Sequence, residues 1–260
     1  MSFWVLCLLC IVQGVCEFLP ISSSGHLTLV EQLCGVQGDL LFLNLFLHLA
    51  SLIAVIVVYR KIILKIIKKP FQPLTYKLLI STIFTVILAF IFETFSLDDY
   101  SYKIYCFGFL LTSILLWVLD YIQKKMIGLK NNGISYRDAV IVGLVQGVAV
   151  IPGLSRSGST IFSLMVCGNE NEESAEYSFL LSVPIIVGGF VLKLLKMNKQ
   201  PLILENFTIS MGVFAFLFTL LISIISLKLT IKLLKDKKFK LFSVYTFILF
   251  IITFSINYLT

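Results

Sequence analysis

Long, almost uncharged apolar runs limit what this chain can fold into more than any other feature. Residues 40–59, 78–97, 104–119, 177–192, 208–227 and 241–258 each come close to the roughly 20 residues that cross a hydrocarbon core. A water-soluble domain carries about a quarter charged residues, whereas these 260 residues are 13% charged and 58% hydrophobic. Lipid offers the backbone no hydrogen-bond partners, so such runs must be helices. The expected fold class is all-α: a polytopic membrane protein with about six full transmembrane spans. Residues 1–20 lack a basic n-region and carry a carboxylate at Glu17, so they read as a retained structural helix rather than a secretory signal. The six cysteines sit mostly inside apolar runs without metal-ligand spacing, and read as small buried hydrophobes.

The net charge of +7 does not indicate nucleic acid, because the basic residues cluster at the ends of the apolar runs. That is the positive-inside pattern. Residues 60–77, 123–137 and 228–240 hold 16 of the 21 basic residues. With these three loops in the cytoplasm, the spans at 40–59, 104–121 and 208–227 run inward and those at 78–97, 177–192 and 241–258 run outward. Lys193, Lys196 and Lys199 then form an external basic cluster, which can snorkel or meet anionic headgroups.

The chain also repeats itself. Val12-Gln13-Gly14-Val15 recurs as Val145-Gln146-Gly147-Val148, and Ser22-Ser23-Ser24-Gly25 aligns with Ser155-Arg156-Ser157-Gly158 at the same offset of about 133 residues. That offset pairs 40–59 with 173–192, and 78–97 with 211–230, spans that run in opposite directions. One integral membrane domain is expected, with 1–122 and 134–258 as two inverted-topology repeats. Each repeated segment has a short apolar stretch, then Pro20 or Pro152-Gly153, a serine-rich turn, and a second short stretch. Proline and glycine break helices and serine caps them, which predicts N-terminal and central re-entrant helix–loop–helix hairpins. Half-helix N-termini present amides and a positive dipole end that favour an anion.

Ionisable groups inside a membrane are costly and mark function. Arg156 offers a fork of donors suited to phosphate oxygens, or else is neutralised by Glu17 to lock the two halves. Gln13 and Glu17, four residues apart, share a helical face; they could hold a divalent cation, hold a water, or leave Glu17 paired only with Arg156. Ser23 and His26, three apart past Pro20, have the spacing of an activated nucleophile and its base or of a base-positioned water, or else His26 is only a satisfied polar group. The hydroxyls of Ser22, Ser24, Ser155, Ser157 and Thr160 either donate to phosphate or serve close helix packing. His48 lies within a span and either supports the site from behind or simply packs. Glu176 reads as an interfacial residue.

These residues resemble the bacterial undecaprenyl-diphosphate phosphatases, the bacitracin-resistance protein family, across essentially the whole chain. The resemblance is carried by QGVCEFLPISSSGH (13–26), PGLSRSGST (152–160) and AEYSFLLSVP (175–184). It implies hydrolysis of undecaprenyl diphosphate to the monophosphate, recycling the lipid carrier for cell-wall synthesis. By that likeness Glu17, Ser23, His26 and Arg156 are catalytic. Ser22, Ser24, Gly25, Ser155, Ser157, Gly158 and Thr160 would bind substrate, while Gln13 and Glu17 would hold Mg2+ or Ca2+. Where the family pattern allows glutamate, this chain has Gln13, which weakens a two-carboxylate metal site. The same likeness implies a plasma-membrane protein with its site open to the external face, in some cases a homodimer, acting on a polyprenyl diphosphate lipid. A secondary transporter or polyprenyl-phosphate flippase is the other reading of such a scaffold. The chemical inequality of the halves favours an enzyme, since Glu17 and His26 align with Val150 and Ser159, and Ser23 with Arg156.

Overall fold

The computed structural model describes residues 2–36, 40–94, 104–125, 133–197, 208–235 and 238–258. Among them the chain forms eleven helices and no strand: α1 (Phe3–Cys16), α2 (Ser23–Leu33), α3 (Leu41–Val58), α4 (Arg60–Lys68), α5 (Pro73–Thr94), α6 (Tyr105–Lys125), α7 (Tyr136–Val148), α8 (Arg156–Val166), α9 (Asn171–Met197), α10 (Ile209–Lys235) and α11 (Phe239–Tyr258). Helices α5, α6, α9, α10 and α11 are long and apolar enough to cross a membrane, and α3 with α4 makes a sixth if counted as one span bent by 80°. Large apolar side chains stay exposed along the crossing helices, among them Phe90 (67%) and Ile225 (60%), as a hydrocarbon surrounding requires.

Two element boundaries differ from the sequence expectation. Residues 60–68, expected as loop, form α4, whose lysines are exposed while Ile62 and Ile63 pack on the core. The span expected at 78 starts at Pro73, because proline is pre-set for a first helical turn. Of the expected external cluster, Lys199 and the side chains of Lys193 and Lys196 lie outside the described residues.

The 133-residue offset persists in three dimensions. Helices α2 and α8 both have 11 residues, with serine N-caps at Ser22 and Ser155 and C-caps at Cys34 and Cys167. Each is followed by a left-handed glycine, Gly35 or Gly168, the residue type that closes a helix without Cβ strain. The counterparts α6 and α11 pack antiparallel: Ser113 Oγ donates to the Ser243 carbonyl and Ser243 Oγ to the Ser113 carbonyl, both at 2.9 Å. Farther along, Phe107 meets Phe250, Phe254 and Tyr258. The two halves therefore run in opposite senses.

The halves also exchange their first helices. Helix α1 lies parallel to α10, with Phe3 against Phe214 at one end and Ser226 Oγ donating to the Val15 carbonyl at the other. Helix α7 lies parallel to α5 through Ser81 Oγ to the Ala139 carbonyl and Thr85 Oγ1 to the Gly143 carbonyl. Both repeat-motif glycines sit at these crossings. A Cβ on Gly14 would lie 2.8 Å from Ile222, and one on Gly147 would lie 2.6 Å from Leu88. Small residues permit the close approach on which helix pairs in lipid depend.

The second hairpin turn is wedged just as tightly. Gly153 has φ +82°, and a Cβ there would lie 2.0 Å from the Tyr105 carbonyl oxygen. Gly153→Ala must shift backbone as well as adopt a strained φ, costing about 1–3 kcal/mol for the conformation alone. It is expected to lower the thermal midpoint in detergent, whereas Gly188→Ala, inside α9 with nothing within 4 Å of the added methyl, does not lower it.

Candidate active site

The two hairpin tips meet at Glu17. Helix α1 ends at Cys16, and Pro20 prevents its continuation. Phe18, 1% exposed, plugs into the core edge-on to Phe179, which fixes the tip against α9. The chain then turns through Ser22, whose φ of +70° is the one left-handed non-glycine conformation among the described residues. Such strain is held only where the surroundings enforce it. Ser23 follows as the first residue of α2, and Arg156 is the first residue of α8. Ser157 Oγ ties the tips together by donating to the Leu19 carbonyl at 3.1 Å.

The Glu17 carboxylate, 4% exposed, gathers the site. Its Oε2 accepts from Ser23 Oγ at 2.7 Å and from Gln13 Nε2 at 3.1 Å, and lies 3.4 Å from His48 Nε2. Its Oε1 pairs with the Arg156 guanidinium. A buried carboxylate is tolerable only with compensation of this kind. Gln13 is itself steadied by Ser51 Oγ at 3.3 Å, which accepts from Ser223 Oγ of α10 at 3.2 Å. His48 presents Nε2 to Glu17 because its Nδ1 donates to the Asn44 carbonyl at 2.7 Å. On the side chains that contact Glu17, two polar atoms stay buried without a partner: Arg156 Nη1 and Gln13 Oε1.

The structure brings Gln13, Glu17, Ser23, His48 and Arg156 together, but it does not join Ser23 to His26. The serine hydroxyl turns to Glu17, while both imidazole nitrogens are engaged elsewhere, Nδ1 with the Ser22 carbonyl at 2.6 Å and Nε2 with Tyr245 Oη at 2.8 Å. Equal spacing along a helix put them on one side, but the ring folds back over its own N-cap. Several expected phosphate ligands are likewise committed to packing. The Gly25 and Gly158 amides are capped by Ser22 Oγ and Ser155 Oγ at 3.2 and 3.0 Å, leaving the first two amides of each helix for an anion. Thr160 faces away, bonded to Ser178 Oγ at 2.5 Å and to the Arg156 carbonyl. Ser24 is exposed, its hydroxyl 3.4 Å from Ser22 Oγ.

A divalent cation was expected at Gln13 and Glu17. Among the described residues no three His, Cys, Asp or Glu side chains are grouped to hold a metal. Gln13 turns its amide nitrogen to Glu17 and leaves Oε1 without a partner, so one orphaned amide oxygen and one carboxylate are what these two residues offer a cation.

Sequence reasoning missed several contributors. Tyr245, Ser51 and Ser223 lie in apolar helices with no local signal. Residues 175–184, noticed only as a motif, form a platform behind both tips: Tyr177 Oη meets Ser81 Oγ, Ser178 meets Thr160, and Phe179 meets Phe18.

Comparison with known proteins places this arrangement. The family model described as bacitracin resistance protein BacA matches residues 6–252. The chain belongs to the BacA family. Within it, the chain is 40% identical over 254 residues to the undecaprenyl-diphosphatase of Thermosipho africanus, covering 95% of this chain and 97% of that protein. It is 34% identical over 251 residues to the undecaprenyl-diphosphatase of Borrelia recurrentis (90% and 91% covered), and 36% identical over 241 residues to that of Halothermothrix orenii (92% of each). The BacA match spans both hairpins, so the Glu17–Arg156 contact between them lies wholly inside the family region.

Proposed function

We propose that the chain hydrolyses undecaprenyl diphosphate to undecaprenyl phosphate and inorganic phosphate, returning the lipid carrier to cell-wall synthesis and thereby conferring bacitracin resistance. The observation that carries this reading is the Ser23 hydroxyl donating to Glu17 at 2.7 Å, beside an arginine whose Nη1 has no partner. A serine in contact with a buried carboxylate is an activated nucleophile, and an unsatisfied guanidinium donor suits a phosphate oxygen.

Glu17 takes the Ser23 proton as Ser23 Oγ attacks the terminal phosphorus in line. The new O–P bond forms as the bond to the bridging oxygen breaks; undecaprenyl phosphate leaves as the anion, and Glu17 gives its proton to water. Water, deprotonated by Glu17, then attacks the phosphoserine; the Oγ–P bond breaks, phosphate leaves, and Glu17 returns that proton to Ser23 Oγ. Arg156 and the first amides of α2 and α8 spread the charge developing on the phosphoryl oxygens. A divalent cation held by Gln13 and Glu17 would neutralise part of the diphosphate charge. His48 Nε2 steadies the same Glu17 oxygen that accepts from Ser23. The basic loops argue for a plasma-membrane protein whose first hairpin opens to the external face.

The test is release of phosphate from a polyprenyl diphosphate by purified protein in detergent. Phosphate release is expected, and an inert, folded wild-type protein would overturn the reading.

A further inference from the structure

Comparing the two halves residue by residue separates what His26 shares with its counterpart from what it adds. In the second hairpin, Ser159 occupies the equivalent place, and its hydroxyl donates to the N-cap carbonyl of Ser155 at 2.8 Å. His26 Nδ1 makes the same bond to the N-cap carbonyl of Ser22 at 2.6 Å. Closing this turn therefore needs only a donor, which serine can supply. What the imidazole adds is reach, since Nε2 extends to Tyr245 Oη on α11 at 2.8 Å.

Tyr245 in turn has a counterpart. The offset of 133 leads to Thr112 on α6, whose Oγ1 accepts from the Ser155 backbone N–H at 2.9 Å. Each hairpin is thus braced at its N-cap by the last helix of one half: α6 braces Ser155, and α11 braces Ser22. The second brace is short and its N-cap relaxed, with Ser155 at φ −72°. The first is long and its N-cap strained, with Ser22 at φ +70°. The His26 ring is also fixed in place, stacked on Tyr245 at 5.7 Å and 15° and edge-on to Phe109 at 5.3 Å. Gly25 admits Phe109 to that position, since a Cβ there would lie 2.6 Å from the Phe109 ring.

We infer that Tyr245 and His26 form a strut from α11 to the Ser22 carbonyl, making both of them positioning residues that hold the left-handed turn presenting Ser23 to Glu17. The Ser22 carbonyl can only accept, so it fixes the proton on Nδ1, and the neutral ring then accepts at Nε2 from the tyrosine hydroxyl. The inference rests on Ser23 being the nucleophile.

The test uses full-length protein in detergent with a polyprenyl diphosphate, reading kcat and KM separately. Tyr245→Phe keeps the ring stack and removes the hydroxyl. It is expected to lower kcat about tenfold with KM within about twofold, since small misplacement of a reacting group costs rate rather than affinity. His26→Ser, which rebuilds the brace of the other half, is expected to keep about tenfold more activity than His26→Ala, as rescue by a donor implies. Thermal unfolding in the same detergent checks that each variant is folded. Wild-type kcat in Tyr245→Phe, or equal rates in His26→Ser and His26→Ala, would falsify the strut. An inactive wild-type protein would instead strike at the phosphatase reading itself.

Discussion

Arg156→Ala is expected to lower kcat/KM for the lipid diphosphate by about 10³-fold or more, as when a phosphate-stabilising arginine is lost elsewhere. The large effect follows from two tasks performed by one side chain. One guanidinium nitrogen neutralises Glu17, and Nη1 waits buried without a partner. Truncation removes the phosphate donor and also leaves a buried carboxylate without its arginine counter-charge, a loss of about 3–5 kcal/mol in stability. The two consequences separate experimentally. Arg156→Ala with Glu17→Gln should recover thermal stability without recovering rate, because the stranded charge is gone but the donor is still missing. Arg156→Lys should recover stability and only part of the rate, since an ammonium cannot make the forked contact. A folded Arg156→Ala protein with wild-type kcat/KM would remove Arg156 from the chemistry and leave it as a lock between hairpins.

Ser23→Ala and Glu17→Gln are each expected to lower kcat by about 10²–10⁴-fold, the range that general-base and nucleophile contacts supply. In Ser23→Ala the attacking oxygen is absent, while the Arg156 and hairpin-amide contacts to substrate persist, so substrate binding should survive. In Glu17→Gln the amide is nearly isosteric but cannot take a proton, and one of its sides now donates where the carboxylate accepted. Single-turnover reaction with terminally labelled diphosphate, quenched in acid, should leave label on wild-type protein and none on Ser23→Ala. If wild type carries no label while still releasing phosphate, water attacks directly and Ser23 orients it.

Much of the fold was legible because lipid imposes simple rules. Runs of about 20 apolar residues must be helices, and basic residues gather at one side. The 133-residue offset was equally open to reading, and from it the matched α2 and α8 with their serine caps. Glu17, Ser23 and Arg156 stood out because charges and serine turns are rare in such runs. Boundaries are less clear where a helix is amphipathic instead of apolar, so the sequence of α4 reads as loop. Partnerships were less clear still. Ser23 and His26 share a helix face, and spacing alone paired them, whereas each finds its partner on a different element: the serine in Glu17 beyond the turn, the imidazole in Tyr245, 219 residues away in sequence.

The sequence by itself determined that this is a duplicated, helical membrane protein with one unequal pair of serine turns, because hydropathy, charge placement and repetition are properties of the chain alone. Only the tertiary structure decided which of those turns' residues meet. Exchange of α1 and α7 between the halves brings the two tips together, and a buried carboxylate must then be satisfied by whatever donors surround it. Those donors come from α1, α2, α3 and α8, and no local pattern records their convergence.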